Sequence, residues 1–419
     1  MPRRLRTVCG LGTAVALLVA AAMPGATRAE SWCADPLRVH EWGVQVFGTA
    51  SASGAWRTGP GGVRLPRYFH DRASSARAAA GPPVRGMEVD GGERDLPILH
   101  FYAPGSWLPA AVGIEVGFTR GEASAWYPQV DVRRSGAEAN GPAAASGRAR
   151  LIALRRARQA RPVATAGAAF SALPPADPTR QLEWDNLMLT RSPRHALARS
   201  SEAWVDRLRG LRDALWANSA DESERFVFYE ARTSETRALR LERGPAYASG
   251  RRHLIIRNVG RNPVFDVFLV HREAAATFVF YAPSIPANTT AGLLLEQHRT
   301  TPATFDAATR GRLRRALVDA REPRMPSDAG WDMDHCVMQR DPALPMEAAE
   351  GHRLYEDEVR TILDLWGARF FDAPGTTLVY REDTRYLDEV MPLSIYASMY
   401  HHVRLRRAGL ALIENVRLP

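Results

Sequence analysis

Two short segments hold the residues best suited to chemistry. One is His40-Glu41-Trp42-Gly43, the other Trp331-Asp332-Met333-Asp334-His335-Cys336. Imidazole and carboxylate together can move protons or ligate a divalent cation. In the second segment Asp332 and Asp334 alternate as oxygen donors do in hard-cation loops, and His335 adds a nitrogen donor. Neither segment is complete alone. His40 and Glu41 are neighbours on what reads as a strand, so they point to opposite faces and one ion cannot take both. The His-Glu-x-x-His pattern fails because Val44 stands where the second histidine belongs. The further acid and the glycine of an EF-hand loop are missing around Asp332. The competing reading packs His40 and Trp42 on one face, leaves Glu41 a satisfied or solvated acid, and makes 332–335 an acidic turn.

Two other histidine sites are weaker. His401-His402 on a strand would offer at most one side chain to any site. His70-Asp71 lies in a stretch rich in Gly, Pro, Ser and Arg. Gly-x-Ser-x-Gly, Gly-x-Gly-x-x-Gly and Cys-x-x-Cys are all absent. The chain has no lysine, all 55 of its Lys+Arg positions being arginine. Lysine Schiff-base chemistry, pyridoxal-phosphate catalysis and a P-loop ATPase are therefore excluded, since each needs the amine.

Residues 1–29 read as a cleavable secretory signal. Arg3, Arg4 and Arg6 precede the apolar run Val8–Met23, Pro24-Gly25 break it, and Thr27-Arg28-Ala29 sets small residues at −3 and −1. The run falls short of the ~20 apolar residues of a membrane span, so no stable span is expected after cleavage. The expected location is periplasmic or extracellular. Cleavage removes four arginines and no acid, so the net charge falls from +9 to +5. That mild surplus, with no nucleic-acid motif, points away from nucleic acid. An anionic envelope polymer or another envelope protein is the expected partner, the arginine-rich stretch 148–161 being one contact candidate.

Cleavage also removes Cys9 and leaves Cys33 and Cys336, an even pair in an oxidising compartment. A Cys33–Cys336 disulfide is expected. It would set Asp334 and His335 beside Cys33, and His40 lies within about 23 Å of Cys33 even in extended chain. The sequence thus allows one site drawn from His40, Glu41, Asp332, Asp334 and His335, holding Zn²⁺ or Ca²⁺ or performing acid–base work.

The elements that would position these residues are mostly strands. Leu37–Phe47 alternates as a strand. Val112–Thr119 is expected to turn at Arg120-Gly121-Glu122 into a hairpin partner at 125–132. Residues 204–216 carry Trp204, Leu208, Leu211 and Leu215 at helical spacing. Five short strands recur through 226–281. They give an antiparallel β-sandwich, similar in pattern to immunoglobulin-like modules, over 221–299. Helices are expected from Thr304 to Leu317 and from Tyr355 to Trp366, the latter stopped at Gly367, with final strands at 399–406 and 410–416. The chain divides into a signal (1–29), an N-terminal β-rich region (30–220), the sandwich (221–299) and a C-terminal α+β tract (300–419). The class is α+β and β-rich.

Leu37-Arg38-Val39-His40-Glu41-Trp42-Gly43 resembles the mature N-terminus of a family of uncharacterised exported bacterial proteins that open on His-Glu-Trp-Gly. Leu96–Tyr102, Trp126-Tyr127-Pro128, Glu224–Tyr229, Leu365-Trp366 and Met391-Pro392-Leu393 resemble later parts of that family. The resemblance implies kinship and export and supplies no mechanism. The expected function is an exported, non-catalytic binding or structural protein of the cell envelope, a metal-dependent hydrolase being the alternative.

Overall fold

The computed structural model describes residues 37–47, 58–59, 63–71, 92–103, 108–130, 181–233, 235–245, 251–320, 351–397 and 403–418. The signal segment, Cys33, the arginines of 148–161, Asp332, Asp334, His335, Cys336 and His401-His402 lie outside them.

The described chain is α+β and β-rich, built almost wholly from antiparallel sheets with a few helices. Twenty strands can be numbered in chain order. Those of the largest sheet are β1 (Leu37–Phe47), β4 (His70–Asp71), β5 (Gly92–Tyr102), β7 (Gly121–Tyr127), β11 (Val227–Thr233), β14 (Val264–Arg272), β15 (Thr277–Ile285), β17 (Arg299–Thr300), β18 (Gly375–Arg381) and β20 (Val403–Ile413). They run in the order β17-β15-β14-β18-β20-β1-β5-β11-β7-β4. A five-stranded sheet holds β6 (Ala110–Gly117), β8 (Gln181–Thr190), β9 (Trp216–Asn218), β10 (Ser223–Glu224) and β19 (Leu393–Ala397). A three-stranded sheet holds β12 (Leu239–Arg243), β13 (His253–Asn258) and β16 (Thr290–Leu294). The pair β2 (Thr58–Gly59) and β3 (Val63–Arg64) stands apart.

β1 lies near the middle of the large sheet and is buried on both faces. Its even-numbered side chains Trp42 and Val44 join an apolar cluster with three helices, α1 (Ala203–Arg209), α3 (Arg310–Leu317) and α4 (Glu356–Gly367). Its odd-numbered Leu37 and Val39 face the five-stranded sheet, and Phe47 faces the three-stranded one. Period-two alternation therefore places consecutive residues of β1 in different cores. β20 runs parallel to β1, with Glu41 opposite Arg407 and Gly43 opposite Gly409. β5 runs antiparallel on the other edge, with His40 opposite His100. The β1–β5 register shifts between Trp42 and Val44, against Pro97, which has no N–H to give the ladder.

Of the strands expected to form a sandwich over 221–299, β12, β13, β14, β15 and β16 pack together around Leu239, Leu254, Ile256, Val267, Leu269 and Leu293, whereas β11 pairs with β5 and β7 instead. The second layer of the sandwich is completed by β18 and β20, from far along the chain. Other expectations are corrected. β6 and β7 are not a hairpin: β6 pairs with β8 and β19, while β7 pairs with β11 and β4. The chain crosses between sheets at Gly121, where a Cβ would stand 2.3 Å from the Arg232 carbonyl oxygen. The helix at 204 stops at Gly210, and Trp216 begins a strand instead. The helix near Thr304 starts earlier, at Pro302 after Thr301, and breaks at Thr309 into α2 (Pro302–Ala308) and α3. Gly367 is the last residue of α4 but is itself helical, and the chain continues through a π turn at Ala368–Asp372 before it reverses near Gly375, at φ +83°. The two final strands are one, β20, because Gly409 lets it run on beneath α5 (Thr384–Val390). A Cβ at Gly409 would meet Leu387 at 2.7 Å and Glu382 at 2.8 Å. Gly409→Ala is expected to cost about 1–3 kcal/mol by overpacking, read as a lower urea midpoint. No helix among the described residues is long and apolar enough to cross a membrane.

Candidate functional site

The His-Glu-Trp-Gly tetrad builds two polar centres, one on each face of β1. On the helix face, register sets His40 beside His100, since directly opposed residues of an antiparallel pair share a face. The third member is Glu358, in the first turn of α4. One carboxylate oxygen, Oε2, accepts the Tyr355 backbone N–H at 2.8 Å and lies 2.7 Å from His40 Nδ1. The other, Oε1, lies 3.8 Å from His100 Nδ1. The Tyr355 and Tyr102 rings pack on His40, with centroids 4.7 and 5.2 Å away, and Arg38 donates to the Tyr355 hydroxyl at 2.7 Å. Trp42 stacks beside His100.

This centre is sealed. His40 is 1% exposed, and His100 and Glu358 are 0%. Four of its polar atoms, His40 Nε2, both His100 ring nitrogens and Glu358 Oε1, have no hydrogen-bond partner among the described residues. Burial pushes the His100 imidazole down to about 4, against the attraction of Glu358, so it is neutral at pH 7. Burial alone would push the Glu358 carboxyl up. The facing His40 and the Tyr355 amide outweigh it and hold Glu358 below its ordinary value.

On the opposite face Glu41 meets Arg407, its parallel-strand partner. Arg407 donates to Glu41 through Nε and through Nη2, the latter at 3.1 Å, and to Asp388 through Nη1 at 2.9 Å. Tyr229 donates its hydroxyl to Glu41. Burial disfavours the Arg407 charge, yet Glu41 holds the guanidinium above its ordinary value. His40 and Glu41 thus sit in separate centres across the sheet, each with its own partners. Among the described residues no group of three His, Cys, Asp or Glu side chains is placed to hold a metal ion. His70 pairs instead with Glu222 at 2.8 Å.

His100, Glu358 and Arg407 carry these centres without having been singled out in the sequence. His100 lies in a visible apolar strand, and Glu358 opens a visible helix. Nothing local ties either to His40, because a sheet register and a helix docking join them.

A cavity of about 240 Å³ opens at the far end of β1. Phe47 lines it, seven residues from His40 and so roughly 23 Å along the strand. Its charged lining residues are Arg120, Arg237, Arg261, Glu382, Asp383 and Glu389, and Tyr380 lines it too.

No protein-family model matches the chain, and no curated protein does. Among solved structures it is similar to a yeast delta-COP-I mu-homology domain complexed with a Dsl1 WxWxV peptide. The identity is 9%, the TM-score 0.26, and the match covers 90% of this chain and 95% of that one. A likeness at that score carries no argument about function.

Proposed function

We propose that the chain is an exported protein of the cell envelope that acts by binding and catalyses no reaction. The enclosure of its best chemical groups carries this reading. His40, His100 and Glu358 lie in the core, out of a substrate's reach, and Glu41 is held by Arg407 and Tyr229. A general base must come within hydrogen-bond reach of the group it serves. These groups instead fasten β1 to α4, β20 and β11, leaving recognition to the surface. An anionic envelope polymer or another envelope protein is the partner that a mildly basic exported chain would meet.

Purified protein, tested on ester, peptide and phosphoester substrates, is expected to show no turnover above that of a His40→Gln variant. Turnover lost in that variant while its circular dichroism is unchanged would overturn the reading. Fractionation of cells expressing the full chain is expected to find it outside the cytoplasm, beginning at Glu30.

A further inference from the structure

The cavity beyond Phe47 carries an inference that rests on the binding reading and names its ligand class. Its walls are set by well-anchored turns. Asn258, fully buried, donates to the Asn262 and Ile285 carbonyls at 3.0 Å each and accepts from Gly260 N at 2.9 Å. Val259 N donates to the Ala238 carbonyl at 2.8 Å, and Ala238 N to the Tyr380 hydroxyl at 3.3 Å. Those bonds fix the two segments that bear Arg237 and Arg261. α5 and its cap also line the cavity, and there one oxygen of Asp383 accepts from Arg385 N at 2.9 Å.

Arg120 and Glu382 also line the cavity and make interactions of their own. Neither Arg237 nor Arg261 makes an ion pair or hydrogen bond among the described residues, and Arg237 Nε is buried without a partner. Glu389 also makes none through its side chain among them. Arg237, Arg261 and Glu389 thus leave charge of both signs free for a guest. Phe47 and Tyr380, 5% and 1% exposed, offer an apolar floor between them. Val259, one of two exposed large hydrophobic residues in the described chain, stands at the rim.

We propose that this cavity binds a small zwitterion of amino-acid to dipeptide size, its carboxylate on Arg237 and Arg261 and its ammonium on Asp383 and Glu389. Guanidinium forks match a carboxylate in geometry and charge. The volume lies under the ~300–1,000 Å³ of drug-sized sites, which favours a small guest. Its side chain lies against the aromatic floor.

Calorimetric titration of the full chain with glycyl-L-phenylalanine tests this. Saturable binding is expected. N-acetylation and C-terminal amidation should each weaken it about tenfold or more, the loss expected for one charge-assisted contact. Arg237→Ala with Arg261→Ala should weaken the parent dipeptide by at least as much without moving the melting midpoint. Glu389→Gln should weaken the dipeptide and leave the acetylated form unaffected. No saturable binding, or equal affinity for all three ligands, overturns the proposal. So does amidation alone mattering, which would mark a plain carboxylate site. Any of these outcomes leaves the binding reading intact, whereas His40-dependent turnover would remove that reading whatever the dipeptide does.

Discussion

Arg407→Met is expected to lower the unfolding free energy by about 3–5 kcal/mol, the usual consequence of leaving a buried charge without its partner. Arg407 is 0% exposed on the central strand β20, and Glu41 beside it is 3% exposed. Removing the guanidinium leaves Glu41 with only the Tyr229 hydroxyl among the described residues, and takes from Asp388 its 2.9 Å contact with Arg407. Glu41 cannot recover its hydration in place. A domain of ordinary stability has about 5–15 kcal/mol in all, so the variant should unfold at a much lower urea concentration. Replacing both partners is different. Glu41→Leu with Arg407→Met substitutes apolar volume for the pair, and such exchanges are often close to neutral. The double variant should therefore lose clearly less than the sum of the single losses, with a coupling of at least about 1 kcal/mol. Additive losses, or a single loss under about 1 kcal/mol, would show that the pair is not the fastening between β1 and β20.

Acid should destabilise the protein well before its surface carboxylates matter. His100 titrates near 4 when folded, against an ordinary 6.5. An unfolded chain takes up that proton as pH falls below 6.5, while the folded chain refuses it. Stability is thus unaffected above pH 6.5 and falls progressively between 6.5 and 4. The loss reaches about 3 kcal/mol, and it stays constant once both states are protonated. Glu358 acts in the same direction at lower pH. Its folded value lies below the ordinary 4.5, so its contribution is present above 4.5 and is lost as pH falls through the folded value. The groups facing His100 are His40 on β1, Glu358 and Asp357 on α4, and Arg225 before β11. His100→Phe keeps a ring beside Trp42 and Phe226 and removes the proton site. Urea midpoints from pH 8 to 4 should fall steeply for the wild type and stay flatter above pH 4.5 for the variant. Identical curves would contradict the assignment to His100.

What could be read in the sequence was what is local. The alternation of Leu37–Phe47 marks a strand with the observed limits, because side chains on a pleat sort by parity alone. The short strands between 226 and 281 are legible for the same reason. The expected hairpin at Arg120-Gly121 failed because a turn signal says that the chain bends, not which sheet it joins. Nor could the tetrad's partners be found: His100 is 60 residues from His40, Glu358 is 318 and Arg407 is 366 from Glu41. The opposite-face argument for His40 and Glu41 needed only strand geometry. Naming what waits on each face needed the registers of β5 and β20 and the docking of α4.

The central claim is that the chemical groups of β1 serve the fold from inside a closed core. The most direct measurement is an NMR titration of the histidine ring nitrogens in the full-length protein from pH 8 to 4. His100 should remain neutral until about pH 4, as a ring shut away from water would. A His100 that titrates near its ordinary value of 6.5 would mean that solvent reaches the cluster, and the closed core would have to be given up for an open site.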